Sequence, residues 1–455
     1  MKIFAQTALL PSGWAEDVLI KVLSDGRIGS VHVGTKASSQ AAEVRVLVPA
    51  PVNAHSHGFQ RAMAGLTERR GPAGTDSFWT WRRLMYRFLD QLTPDHIEAI
   101  TAFVQMEMLE AGYASSVEFH YLHHQPGGAP YDALSEMSER VAAAADCSGI
   151  GLTLLPVMYQ YGGCDQRDLG PGQIRFRNDL SQMTFLMDGA RRALQALPAD
   201  ATLGLAPHSL RAVSRSDLVQ LPELLPKGPL HMHLAEQQAE VAEVQSNWGA
   251  RPVEWALENM ELDKRWCLIH CTQMQRHETQ LLARTGAVAG LCPMTEASLG
   301  DGIFDGVQWL NEGGHVAIGS DSNIRISLSE ELRMLDYSQR LRDHSRAALA
   351  SEVHSTGRRM FDAIVTGGAR AAGRKTGEIA AGHWADLMSL DGDHIELYGR
   401  TGDQILDSYI FAGSDALVRD VWSAGRHLVT NGRHSARSQI EAAYRETLTQ
   451  LTDTL

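Results

Sequence analysis

Short apolar runs, each closed by polar or small residues, recur through the middle of the chain. They predict strands at Val48–Asn53, Ser115–Phe119, Gly151–Pro156, Thr202–Pro207, Leu230–Leu234, Trp266–Ile269, Ala287–Leu291 and His315–Ser320. Between them, apolar positions return every three or four residues. Asp95–Ala111 is the clearest such helix, and Leu186–Leu197, Glu240–Asn259, His277–Thr285 and Ser329–Arg342 follow the same rule. Eight strands alternating with helices predict an α/β fold, a (β/α)8 TIM barrel over residues 49–375. A doubly wound sheet is the alternative, but it does not naturally gather side chains from strands one, five, six and eight around one point.

The ends of the chain read differently. Residues 1–48 hold the runs KIFAQTALL, AEDVLIKVL, RIGSVHVG and VRVLVPA, too few to close a core alone. Residues 380–430 supply partners in ADLMSLDGD, ILDSYIFAG and VRDVWSAGRHLVTNGR, the last read as a hairpin with its turn at Asn431–Gly432. Residues 1–48 and 376–455 are therefore expected to form one discontinuous β-sandwich, with an amphipathic C-terminal helix over 436–455. The first crossover, Gly58–Asp90, is long and carries Arg69, Arg70, Arg82, Arg83 and Arg87 with Trp79 and Trp81. An insertion of this kind over a barrel mouth reads as a lid.

Charge narrows the function classes. Lys plus Arg number 41 against 54 Asp plus Glu, a net charge of −13. That balance speaks against broad binding to nucleic acid or an anionic membrane, while leaving room for a locally basic pocket. The five cysteines are odd in number and form no CxxC, the usage of a reduced, cytoplasmic protein without disulfides. The opening MKIFAQTALLPSGW does not read as a secretory signal, and no 18-residue apolar stretch suggests a membrane span.

The chemistry sits where the strands end. His55 and His57 alternate at the close of the first apolar run, so both imidazoles can meet one ion. His233, Glu236, His270 and Asp321 each follow a later apolar run, and the C-terminal ends of barrel strands share one mouth. Glu236 suits a carboxylate that takes a proton from water and passes it to a departing nitrogen; it also suits the first acid of a helix. His270 reads either as a group that polarises the attacking water or as a buried core residue. Asp321 ends a fully apolar strand, where it needs a partner: an ion, or a turn in SDSN. Periodicity does not choose between His231 and His233.

HSH after the first strand, HLAE after the fifth, His after the sixth and SD after the eighth resemble the mononuclear deaminase branch of the amidohydrolase superfamily. The resemblance implies one zinc ion per subunit held by His55, His57, His233 and Asp321, with Glu236, His270 and Asp321 as the catalytic groups. It favours His233 over His231. Nucleobase and chlorotriazine members usually carry Pro-x-Ser-Asn after strand seven; here CPMTEASLGDG puts Thr295 and Glu296 there. AHSHGFQRAM, FWTWRRLMY, VEFHYLHH, PHSLRAV and HMHLAEQ are instead similar to the N-formimino-L-glutamate deiminase family.

That likeness implies hydrolysis of N-formimino-L-glutamate to N-formyl-L-glutamate and ammonia, in histidine degradation, by attack of zinc-bound hydroxide on the formimino carbon. The substrate is a small dicarboxylate amidine. Arg211 and Arg82 are expected to clamp its carboxylates, with Gln60, Tyr121 and His208 beside them; Arg82 and Arg83 adjoin, and sequence does not separate them. A homodimer is expected. The alternatives are deamination of another small amidine, guanidine or aromatic amine such as guanine, and a non-catalytic barrel that only binds.

Overall fold

The computed structural model describes residues 1–37, 40–68 and 78–452. Its centre is a ring of parallel strands. The first four are Val52–Ser56, Ser115–His120, Gly151–Met158 and a short pair, Thr202–Leu203 and Ala206–Pro207, that both register on Gly151–Met158. The second four are Leu230–Leu234, Trp266–His270, Val288–Leu291 and His315–Ile318. Single bridges close the ring: Leu205 with Leu230 and Ser209 with His233 on one side, Ser56 with Asp321 on the other. These strands are almost wholly buried, which is why they read as continuous apolar runs. The closed ring is a (β/α)8 barrel, as the strand spacing predicts, and not an open doubly wound sheet.

Several boundaries differ from the sequence reading. The expected strand Val48–Asn53 spans two strands. Ala42–Pro49 belongs to another sheet, and the barrel strand starts only at Val52, after a break at Ala50–Pro51 where Pro51 has no N–H to donate. The long helix expected over Glu240–Asn259 is two, Gln238–Trp248 and Pro252–Asn259. Gly249, at φ +81°, ends the first, and Pro252 opens the second. ILDSYIFAG is a helix, Gln404–Phe411, rather than a strand; Ile405, Leu406, Tyr409 and Ile410 form its buried face at helical spacing.

The two ends of the chain do meet. They form one mixed eight-stranded sheet in the order Arg433–His434, Arg426–Thr430, Val418–Ser423, Leu387–Leu390, Ala42–Pro49, Lys2–Leu10, Gly13–Val22, Ile28–His32. Leu387–Leu390 lies antiparallel to Ala42–Pro49 and joins the N-terminal strands to the C-terminal ones. Asn431–Gly432 turns the chain into its last strand with both φ angles positive, 53° and 74°, and Ala424–Gly425 makes a second such turn at 43° and 76°. The C-terminal helix Arg437–Thr452 lies on the helix Pro94–Glu110, with the Phe103 and Tyr444 rings stacked at 3.9 Å.

A buried ion network ties sheet to barrel. Arg374 donates to both Asp386 oxygens, at 2.7 and 2.9 Å, and to Asp200 at 2.8 Å, while Arg426 reaches the same Asp200 carboxylate. The first crossover contains a short 3-10 turn, Gly58–Met63, and the helix Phe78–Leu89. Arg69 and Arg70 lie outside the described residues, as do the side chains of Trp79 and Arg83. Among the described residues, no helix is long and apolar enough to cross a membrane.

Candidate active site

The C-terminal ends of strands one, five, six and eight bring four histidines and an aspartate together. His55 Nε2 lies 3.1 Å from His233 Nε2 and 3.5 Å from Asp321 Oδ1. His57 Nε2 is 3.3 Å from the same Asp321 oxygen, and His270 Nε2 is 3.8 Å from Asp321 Oδ2. The backbone turns sharply to achieve this. Ala235, His270, Cys271, Asp321 and Asn323 all hold positive φ, between 45° and 72°, a conformation costly for residues with a Cβ and concentrated here at the mouth. Gly319 lets strand eight approach strand one, since a Cβ there would stand 2.7 Å from His55 backbone atoms.

The histidines are arranged as donors. His57 Nδ1–H is directed at the Phe119 carbonyl, 2.8 Å away, and His233 Nδ1–H at the His208 carbonyl, 3.0 Å away. That leaves both Nε2 lone pairs facing inward. Burial pushes His55, His57 and His233 below the ordinary imidazole range; neighbouring histidines add to it at His55 and His233, while Asp321 works against it at His57. The His57 Nε2 lone pair, facing the Asp321 carboxylate at 3.3 Å, is repelled unless a cation lies between them. The donor atoms of His55, His57 and His233 lie within 4.8 Å of one another, as do those of His55, His270 and Asp321. This cluster fits a small divalent metal ion that takes nitrogen and oxygen ligands. His231 turns elsewhere: its Nε2 bonds the Ala371 carbonyl at 2.7 Å, and burial pushes it down to about 4.

Two acid–base groups adjoin the cluster. Glu236 is buried, and that burial raises its carboxyl above the usual range. Its position is set from behind by Glu240, whose carboxylate accepts the Ala235 and Glu236 N–H groups at 3.1 and 2.9 Å. For His270, burial favours the neutral ring, but Glu236, Glu296 and Asp321 outweigh it and lift the imidazole to about 10. Glu296 Oε1 lies 3.2 Å from His270 Nδ1.

These groups open into one cleft at the barrel mouth. His57, His233, Glu236, His270 and Asp321 line it, together with Gln60, Arg82, Tyr121, His208 and Arg211. The metal, catalytic and substrate-binding candidates read from sequence thus meet here, with His55 just behind the lining. Gln60 Nε2 donates to the Tyr121 hydroxyl at 2.9 Å, and Arg82 Nη2 to the Tyr159 hydroxyl at 3.0 Å. Arg211 is buried; that burial works against its charge, but the nearby Glu240 and Glu236 more than restore it. The sequence reading passes over part of the wall. Met85, Tyr86, Tyr159, Phe176 and Leu299 also line the cleft, beside Trp81 of the long first crossover. Tyr159, one residue past the third strand, shares the strand-end signal of the histidines; the others carry no spacing that marks them.

Comparison with known proteins agrees with this arrangement. Residues 46–428 match the amidohydrolase family, and residues 1–45 match the N-terminal domain of formimidoylglutamate deiminase HutF. A formimidoylglutamate deiminase of Pseudomonas aeruginosa is 44% identical over 99% of both chains. A 5'-deoxyadenosine deaminase of Methanopyrus kandleri is 24% identical, over 95% of this chain and 94% of the other. Among solved structures, an amidohydrolase from Brucella melitensis superposes with a TM-score of 0.95 at 46% identity, over 99% of both chains. An adenosine deaminase from Xanthomonas campestris, solved with bound zinc, shares the fold at a TM-score of 0.81 and 21% identity, covering 99% of this chain and 98% of the other. With one family model covering most of its length and a close relative aligned from end to end, the chain belongs to the amidohydrolase family, in its formimidoylglutamate deiminase branch.

Proposed function

We propose that this enzyme hydrolyses N-formimino-L-glutamate to N-formyl-L-glutamate and ammonia. One observation carries the reading: two arginines, Arg82 and Arg211, line the same cleft as Glu236 and the histidine–aspartate cluster. A substrate with two carboxylates at one end and a cationic amidine at the other matches those two needs.

We assign His55, His57, His233 and Asp321 as ligands of one zinc ion per subunit, from the nitrogen-and-oxygen donor set. Such an ion makes water a strong nucleophile near neutral pH and polarises the group it attacks. The chain's own residues do the rest. Glu236 takes a proton from water as its oxygen adds to the formimino carbon, and the C=N electron pair moves onto nitrogen. Glu236 then delivers that proton to the nitrogen, the C–N bond breaks, and ammonia leaves. The hydroxyl proton passes to Asp321, and the carbon is left as a formyl C=O. His270, held as imidazolium by its acidic neighbours, hydrogen-bonds the developing negative charge on oxygen. Arg211 and Arg82 bind the carboxylates, and Gln60, Tyr121 and His208 complete the polar surround.

The same reading takes residues 1–48 with 376–455 as one domain and 49–375 as the other, supported by the pairing of the end strands. It places the enzyme in the cytosol, in keeping with its five unpaired cysteines, and as a homodimer, which light scattering tests. The decisive assay is ammonia release from formiminoglutamate, formiminoaspartate, guanidinoglutarate and guanine. Formiminoglutamate should be used best; a preference for guanine would replace this reading with an aromatic-amine deaminase.

A further inference from the structure

Thr295 and Glu296 stand where the sequence departs from the Pro-x-Ser-Asn of nucleobase deaminases. Neither lines the cleft, although Leu299, one turn later, does. Both face the proton-handling groups from behind. Thr295 Oγ1 lies 3.2 Å from the Ser320 carbonyl and 3.0 Å from the Ser322 hydroxyl, on either side of Asp321. Glu296 is 5% exposed, and its Oε1 takes two contacts: the Cys292 N–H at 2.8 Å and His270 Nδ1 at 3.2 Å.

This geometry points to Glu296 as a positioning residue that fixes the orientation of His270. It deepens the functional reading given above and rests on it. A half-turn of an imidazole about χ2 puts ring carbons where its nitrogens stood, so orientation must come from a partner. His270 sits at φ +72°, where its own backbone is strained. Its Nε2 faces Asp321 at 3.8 Å, and its Nδ1 faces Glu296. The carboxylate is itself anchored, because the N–H of Cys292 ahead of the helix Pro293–Leu299 holds the oxygen that receives His270. A donated Nδ1–H on this side leaves Nε2 toward the reacting centre. Glu296 therefore acts through His270 without touching the substrate.

The test compares Glu296→Ala and Glu296→Gln with the zinc-loaded wild-type enzyme. In Glu296→Ala, kcat for formiminoglutamate should fall about 10- to 100-fold, the range for outer partners of site histidines, with KM within about threefold and zinc content unchanged. Glu296→Gln keeps an acceptor at the same place and should recover part of that kcat. A second readout does not depend on turnover. The downfield Nδ1–H proton resonance that disappears in His270→Ala should also disappear in Glu296→Ala and move upfield in Glu296→Gln. Should the alanine variant fail to fold, the near-isosteric glutamine variant carries both readouts. Wild-type kcat in either variant, an unmoved resonance, or a loss of kcat that tracks lost zinc would overturn the assignment. A wild-type enzyme that releases no ammonia from formiminoglutamate sinks the functional reading instead, and the resonance still judges the His270–Glu296 contact.

Discussion

The Nε2 atoms of His55 and His233 face each other at 3.1 Å, in rings that burial keeps neutral. Beside them the His57 Nε2 lone pair meets the Asp321 carboxylate at 3.3 Å, a repulsion that a cation removes. Chelation is therefore expected to abolish ammonia release and also to lower the melting temperature. At free zinc 100-fold above its dissociation constant, binding to the folded state alone adds about 2.7 kcal/mol. The melting temperature should rise with zinc concentration in a thermal-shift titration, and His233→Ala should flatten that rise. A wild-type melting temperature indifferent to chelator and zinc would count against a structural cation at this mouth.

Glu236 is asked to move protons from a site where burial raises its carboxyl. Loss of such a group costs about 10²- to 10⁴-fold in rate, so Glu236→Gln should lose turnover on that scale while binding zinc normally. The stability effect has the opposite sign. A carboxyl whose folded pKa lies above its unfolded value, about 4.3, costs stability at higher pH. Near neutral pH the glutamine variant should melt at the wild-type temperature or above it. Full turnover in the variant would remove the assigned role.

The barrel and the metal-side cluster are legible in the sequence for a common reason. Buried parallel strands leave continuous apolar runs, and polar residues that end such runs have few bland uses. His55, His57, His233, His270 and Asp321 all carry that signal, and the structure brings them together. Hydrophobic pattern fails where it is ambiguous. Leu47 to Val52 is apolar throughout, so the passage from the mixed sheet to the barrel at Ala50–Pro51 leaves no polar mark. ILDSYIFAG is short and closed by Gly413, which suits a strand, and the helical spacing of Ile405, Leu406, Tyr409 and Ile410 decides only once their burial is known. The wall of Tyr86, Phe176 and Leu299 comes from helices and loops whose apolar residues look like any core. Glu296 reads as a departure from a motif, and only the distance to His270 shows what it touches.

Arg211 follows the fourth strand and is buried in the cleft wall beside Glu240 and Glu236. A hydrogen bond to a charged group contributes about 1.5–3 kcal/mol, so Arg211→Ala should lower kcat/KM for formiminoglutamate roughly 10- to 150-fold. Zinc content should not change. Formamidine, which has the reacting group and no carboxylate, supplies the control: wild type and variant should hydrolyse it at similar, low rates. An equal loss on both substrates would mean that Arg211 shapes the site rather than binding a carboxylate.

Arg374 and Asp386 govern how the mixed sheet is held to the barrel. The guanidinium is buried and shared between the Asp386 and Asp200 carboxylates, and Arg426 supports Asp200 from its other side. Removing one partner of a buried pair costs about 3–5 kcal/mol, because the remaining charge is left without compensation. Arg374→Ala should lower the urea midpoint accordingly, with the catalytic cluster intact in any protein that remains folded. The pH dependence follows from Asp200. Burial pushes its carboxyl up, but Arg426 and Arg374 outweigh that and hold it below its ordinary value. A depressed carboxyl contributes stability above its unfolded pKa, about 3.9, and loses it as pH falls through the lower folded value. The stability gap between wild type and Arg374→Ala should therefore be widest near neutral pH and close in acid. A gap that stays constant from pH 7 to pH 3 would show that Arg374 holds the sheet by packing rather than by charge.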